Sequence, residues 1–145
     1  MAVSRAQASW QGDLVGGSGS VEAASGAFSG LGLTWAARTE RPSPGTSPEE
    51  LIAAAHAGCY AMALSHALAE DGHPAQWLDV SSEVHFTPKQ GGGFEISRCQ
   101  LAVVGSVAGL DGDRFRELAE QGEAGCPVSG ALRGSVEIAL DARLA

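Results

Sequence analysis

One stretch constrains this chain more than any other, and it runs from Gly45 to Pro74. Ser47 is a good helix N-cap, Pro48 fits the first helical position, and Glu49 and Glu50 meet the positive end of the helix dipole. Ser47 and Glu50 also have capping-box spacing. From Leu51 to Ala69 the residues are mostly Ala, Leu and Met, with His56, Ser65 and His66 the main interruptions. No polar face emerges before Glu70 and Asp71, and Gly72 then Pro74 end the segment. The reading is a helix over 48–71, apolar all round and so buried on more than one side. A 145-residue chain has little of its own with which to cover such a helix. The expectation is a central helix covered by sheet and by another helix, from this chain or from a second subunit.

The rest reads as strands, turns and shorter helices. Residues 1–36 form an antiparallel meander, with strands near Gln7–Trp10 and Leu31–Trp35. Arg38–Pro44 is a polar loop with two prolines. Val80, Ser82, Val84 and Phe86 alternate as a half-buried strand should, and Gln90–Gly93 turns into a return strand over Phe94–Val107. The apolar phase of that strand shifts near Arg98, which predicts a bulge or twist. Asp111–Gly122 is a surface helix with Phe115 and Leu118 inward. Cys126-Pro-Val-Ser-Gly is one short helical turn with Cys126 near its N-cap, and Ser135–Ala142 is the last strand. The expectation is a single α+β domain over 1–145.

The formal charge of −8 argues against nucleic acid and anionic membranes as partners. No charged-then-apolar leader opens the sequence, and no uninterrupted apolar run reaches about 18 residues, so a cytoplasmic protein is expected. Three cysteines without a C-x-x-C pair lack the signature of a secreted framework, a zinc ribbon or a thioredoxin-type site.

Cys59 is the first chemical candidate. A free cysteine in an apolar helix is commonly a small core hydrophobe. A reactive one must be a thiolate, and Cys59 lies about three turns inside its helix, beyond the reach of the dipole. A cation must come from elsewhere: Arg38, with Arg41 as competitor, both otherwise ordinary loop arginines. A carboxylate would fix such an arginine, and Glu49 is the nearest suitable acid, with Glu50 able to serve the dipole equally. Glu49 and Cys59 stand about 15 Å apart along a straight helix, so a bent helix or a homodimer with the site at its interface is expected. Cys126 precedes a short helix whose free N–H groups favour a thiolate; its plainer reading is a buried turn cysteine. Cys99, in mid-strand, reads as a bystander. His56 shares a helix face with Cys59 and is either a hydrogen-bonded core residue or a partner of the thiol. His56 and His66 lie about 15 Å apart on a straight helix, too far to share one metal ion.

The segment Gly45-Thr-Ser-Pro-Glu-Glu-Leu-Ile-Ala-Ala-Ala-His-Ala-Gly-Cys59-Tyr-Ala-Met-Ala-Leu-Ser65, followed by Ala124-Gly-Cys126-Pro-Val-Ser129, resembles the OsmC/Ohr family of thiol-dependent peroxidases. The resemblance covers essentially the whole chain, including Trp10-Gln-Gly-Asp13, and the Ala-Ala-His wording is closer to the OsmC branch. It implies antiparallel sheets wrapped around two central helices in an intertwined homodimer. It implies Cys59 as the peroxidatic thiol, Cys126 as the resolving thiol, and Glu49 as the acid that holds the activating arginine, for which Arg38 fits best. No cofactor or metal is implied. The implied substrates are organic hydroperoxides and hydrogen peroxide, with a lipoyl-type dithiol as reductant and a role in oxidative or osmotic stress defence. Apolar neighbours Ile52, Ala55 and Met62 suit an alkyl-bearing peroxide. The rival readings are a redox-inactive stress or small-molecule-binding protein of the same fold, and a cysteine hydrolase, for which His56 is badly aimed.

Overall fold

A computed structural model describes residues 1–145. The chain separates into two compact units, Met1–Leu51 and Ile52–Ala145.

The first unit opens with a three-stranded antiparallel sheet in the order β1 (Ala6–Gln11), β2 (Ser18–Ala23), β3 (Leu31–Leu33). The turn between β1 and β2 is tied to Asp13, whose Oδ1 accepts the Gly16 N–H at 2.6 Å and whose carbonyl accepts the Gly17 N–H at 3.0 Å. Gly17 is obligatory there, because a Cβ would lie 2.2 Å from the Asp13 carbonyl oxygen. The meander expectation holds, but β3 stops at Leu33. Trp35–Thr39 is a short helix, α1, and not the end of a strand followed by a loop. The cause is local: the Thr34 hydroxyl accepts the Ala37 N–H at 2.9 Å, an N-cap in a sequence otherwise rich in β-formers. After the loop, Gly45 adopts φ +88° against the Gly32 carbonyl, and Thr46 N–H donates to that carbonyl at 2.8 Å. This anchors Ser47 at the start of the long helix α2 (Pro48–Glu70). Ser47 Oγ accepts the Glu50 N–H at 3.0 Å, half of a capping box; the Glu50 carboxylate turns instead to Thr46 Oγ1 and Arg41.

Within the second unit α2 buries one face, His56, Tyr60, Leu64 and Leu68, at a four-residue spacing. Tyr60, Leu64 and Leu68 pack with Leu101, Val103, Phe115 and Leu118. The other face, with Ala54, Gly58, Met62, Ser65 and Ala69, is exposed, and Met62 is 76% accessible. By length and composition alone α2 is apolar enough to cross a membrane, a test that core helices also meet. It ends in a Schellman motif: His73 N–H donates to Leu68 O and Gly72 N–H to Ala69 O, with Gly72 at φ +82°.

The hairpin β4 (Trp77–Pro88) and β5 (Phe94–Ser106) follows. Its register slips where His85 faces Arg98 and Phe86 faces Ile96, leaving Ser97 as the bulged residue that shifts the apolar phase. Helix α3 (Gly112–Ala124) is capped by Asp111, whose side chain accepts the Arg114 N–H, and buries Phe115 and Leu118. It approaches α2 closely, since a Cβ on Gly122 would stand 2.9 Å from Leu64 Cα. Helix α4 (Pro127–Leu132) leads to β6 (Glu137–Leu144), which pairs with β5 in parallel. An all-antiparallel arrangement was the expectation. The crossover through α3 and α4 returns the chain to the same end of the sheet, and a parallel partner results.

Candidate functional site

Four residues were expected to carry chemistry, and they form two pairs. The first pair lies within Met1–Leu51. Arg38 closes α1 and Glu49 opens α2. Arg38 Nε and Nη2 donate to Glu49 Oε1 at 3.0 and 2.8 Å. Both donors thus converge on one oxygen; Glu49 Oε2 is buried with no hydrogen-bond partner. Arg41, the competing arginine, is spent on Glu50 and on the carbonyls of Ala37, Ser43 and Gly45. It ties the loop together while Arg38 takes the buried acid.

Beside Arg38 lies a cleft of about 290 Å³ lined by Trp10, Leu14, Leu33, Trp35 and Pro48. The apolar lining comes from β1, the β1–β2 turn, β3, α1 and the first residue of α2, and Trp35 of α1 was legible only as a strand residue.

The second pair lies within Ile52–Ala145. Cys59, on the fourth turn of α2, and Cys126, the N-cap of α4, stand with their sulfurs 3.2 Å apart as free thiols. Burial raises the Cys59 thiol above its ordinary value, and its contact with Cys126 adds to that against a hydrogen bond from the Val128 backbone. Burial acts upward on Cys126 too, yet the Ser129 N–H, the Cys59 thiol, the Ser129 hydroxyl and the Val128 N–H together hold it below its ordinary value. So of the two thiols Cys126 is pulled toward the thiolate and Cys59 toward the neutral form. The α4 turn does for Cys126 what a helix N-terminus does for reactive thiols in general.

Sequence reasoning missed Ser129. Its Oγ sits 2.7 Å from His56 Nε2, and its N–H points at Cys126 Sγ at 3.5 Å. Both His56 and Ser129 are 0% exposed. His56 was open between a hydrogen-bonded core residue and a thiol partner; its hydrogen bond goes to Ser129. The only signal in the sequence was a histidine in an otherwise apolar helix face, which implies a polar partner without saying which. Cys99 is buried in β5, its thiol raised by that burial. No group of three or more metal-ligating side chains comes together.

A family model described as OsmC-like protein matches residues 40–141. The chain is 39% identical over 140 residues to Peroxiredoxin OsmC of Escherichia coli strain K12, covering 97% of this chain and 95% of that one. It is 32% identical over 102 residues to Organic hydroperoxide resistance protein OhrB of Bacillus subtilis strain 168, covering 67% and 69%. Among solved structures, an organic hydroperoxide resistance protein OsmC from Legionella pneumophila superposes with a TM-score of 0.74 at 25% identity, over 99% of both chains.

Proposed function

The chain belongs to the OsmC family, and from that premise we propose that it is a cysteine-based peroxidase whose reducing power passes through Cys59 and Cys126. The protein is a thiol-dependent hydroperoxide reductase of stress defence. The observation that supports the two-thiol route best is the 3.2 Å separation of the sulfurs, short enough for a disulfide to form with little movement.

The chemistry runs in three steps. The Cys59 thiolate attacks one peroxide oxygen; the S–O bond forms, the O–O bond breaks, and the alkoxide or hydroxide released takes a proton. The Cys126 thiolate then attacks the sulfenic sulfur of Cys59; the S–S bond forms, the S–O bond breaks, and hydroxide takes a proton and leaves as water. A dithiol, of the lipoyl type, reduces the disulfide by exchange and is itself oxidised to a disulfide.

Half-buried, with its thiol held above the ordinary value, Cys59 needs a positive charge to become a thiolate. Arg38, held by Glu49, is the group we assign to that role, and to stabilising charge on the leaving oxygen. Its apolar cleft favours an organic hydroperoxide, with hydrogen peroxide also accepted. The exposed small-residue and Met62 face of α2 supports a homodimer in which the central helices cover each other. A cytoplasmic setting suits free thiols that must return to the reduced state.

The test is stopped-flow consumption of cumene hydroperoxide and of hydrogen peroxide by wild type, Cys59→Ser and Cys126→Ser. The reading expects no turnover from Cys59→Ser. Wild-type rates from that variant would end the peroxidase reading and leave the redox-inactive alternative.

A further inference from the structure

The reaction uses Cys126 twice, once as nucleophile and once as leaving group, and both roles need the sulfur held as a thiolate. The surroundings of Cys126 bear on that. The sulfur caps α4 at a distance of 3.5 Å from the Ser129 backbone nitrogen, and the Ser129 side chain also helps to hold the thiol below its ordinary value. That hydroxyl is in turn 2.7 Å from His56 Nε2, a link across 73 residues between two side chains that water does not reach.

The direction of the link follows from what is left over. His56 Nδ1 is buried without a partner. Burial holds the ring below its ordinary value, with the Glu123 carboxylate acting weakly the other way, so the imidazole is neutral and carries one proton. Were that proton on Nδ1, a buried N–H would go unpaired, which folded proteins avoid more strictly than a bare acceptor. The proton therefore sits on Nε2 and is donated to Ser129 Oγ. Because Oγ accepts from His56, its own hydrogen is left to point at Cys126 Sγ.

We infer that His56 and Ser129 form a buried positioning pair that orients a hydroxyl hydrogen toward Cys126, keeping it a thiolate for disulfide formation and a good leaving group for disulfide reduction. The inference rests on the resolving role assigned to Cys126 above. In the oxidising half, His56 Nε2–H fixes the Ser129 rotor, and the Ser129 O–H and N–H together stabilise the attacking sulfur. In the reducing half, a dithiol's thiolate attacks Cys59 Sγ, the more accessible of the two sulfurs, since Cys126 is only 1% exposed. The S–S bond breaks toward Cys126, which leaves as the thiolate that the same two donors stabilise, and a lower-pKa thiol leaves faster. The other ionisable groups around Cys126 are Cys59 and Tyr60 from α2 and Glu123 from α3, the last paired with Arg133. Tyr60 donates to the Ala119 carbonyl and not to the sulfur. Neither Tyr60 nor Glu123 offers the thiolate a positive charge, which leaves neutral donors to do the work.

The test is rapid quench of reduced protein with one equivalent of cumene hydroperoxide, followed by alkylation and mass measurement, repeated across pH. It resolves sulfenic acid formation from disulfide closure. Wild type should close its disulfide half-maximally at a pH below the ordinary thiol value of about 8.5. Ser129→Ala should slow closure about tenfold relative to sulfenic acid formation and move the half-maximal pH upward. His56→Leu should move it the same way, and His56→Gln, whose amide can still donate to Ser129 Oγ, should move it less. Closure in Ser129→Ala with the wild-type pH profile, whether fast or slow, overturns the inference and leaves the pair a structural one. Wild type that accumulates sulfenic acid without any disulfide overturns the resolving role of Cys126 itself, and the inference with it.

Discussion

Cys59 Sγ and Cys126 Sγ stand 3.2 Å apart although 67 residues separate them in the chain. The contact is made by the fourth turn of a long helix and the N-cap of a six-residue one, so each sulfur is held by backbone that cannot easily withdraw. Cys126→Ser should therefore leave Cys59 able to react once and then strand it. Repeated hydroperoxide should drive Cys59 of this variant to sulfinic and sulfonic acid, read as mass gains of two and three oxygens, while wild type stays protected.

Glu49 holds Arg38 by two hydrogen bonds to one carboxylate oxygen. Charge-assisted bonds are worth about 1.5–3 kcal/mol, so loosening the guanidinium should cost roughly 10- to 100-fold in kcat/KM. Glu49→Gln is the variant, and steady-state peroxide consumption is the measurement. Arg41→Ala, which releases a loop arginine from Glu50, should cost far less.

Gly122 lies against Leu64, with room for no side chain. Gly122→Ala should force α3 off α2 and lower stability by about 1–3 kcal/mol in urea denaturation. Leu64→Ala, at the same contact, should cost about 2–5 kcal/mol through the cavity it leaves.

Asp71 joins the end of α2 to α3. Arg114 holds its carboxyl below the ordinary range, against burial, and His73 adds to the effect. A depressed carboxyl contributes stability that is present above its unfolded value, about 3.9, and is lost as pH falls through the lower folded value. Thermal melts should show wild type losing more Tm than Asp71→Asn as pH is taken down through that window.

The exposed face of α2 predicts association. Sedimentation should give a dimer for wild type, and Met62→Glu, which sets a charge in the middle of that face, should shift it toward monomer.

The long helix was legible because its signals are local: Ser47 and Pro48 at one end, Gly72 and Pro74 at the other. The bulge was legible too, as a break in the apolar phase near Arg98. Helix α1 was not, because Trp35 and Thr39 favour strands and the Thr34 cap that tips the balance is one hydroxyl. The direction of β6 was hidden because alternation looks the same in parallel and antiparallel strands. At the site, the residue types stood out but the pairings did not. Arg38 and Arg41 share one loop, and only the packed chain gives the buried Glu49 to one and the exposed Glu50 to the other. Ser129 closes the Cys126 motif, but nothing in the sequence ties it to His56, 73 residues away.

The most direct test of the account is a peptide mass measurement on reduced protein treated with one equivalent of cumene hydroperoxide and then alkylated. The account predicts a disulfide-linked peptide pair containing Cys59 and Cys126, with Cys99 alkylated, and loss of that pair on adding a dithiol. Recovery of Cys59 and Cys126 as alkylated thiols, with the hydroperoxide left unconsumed, would contradict it.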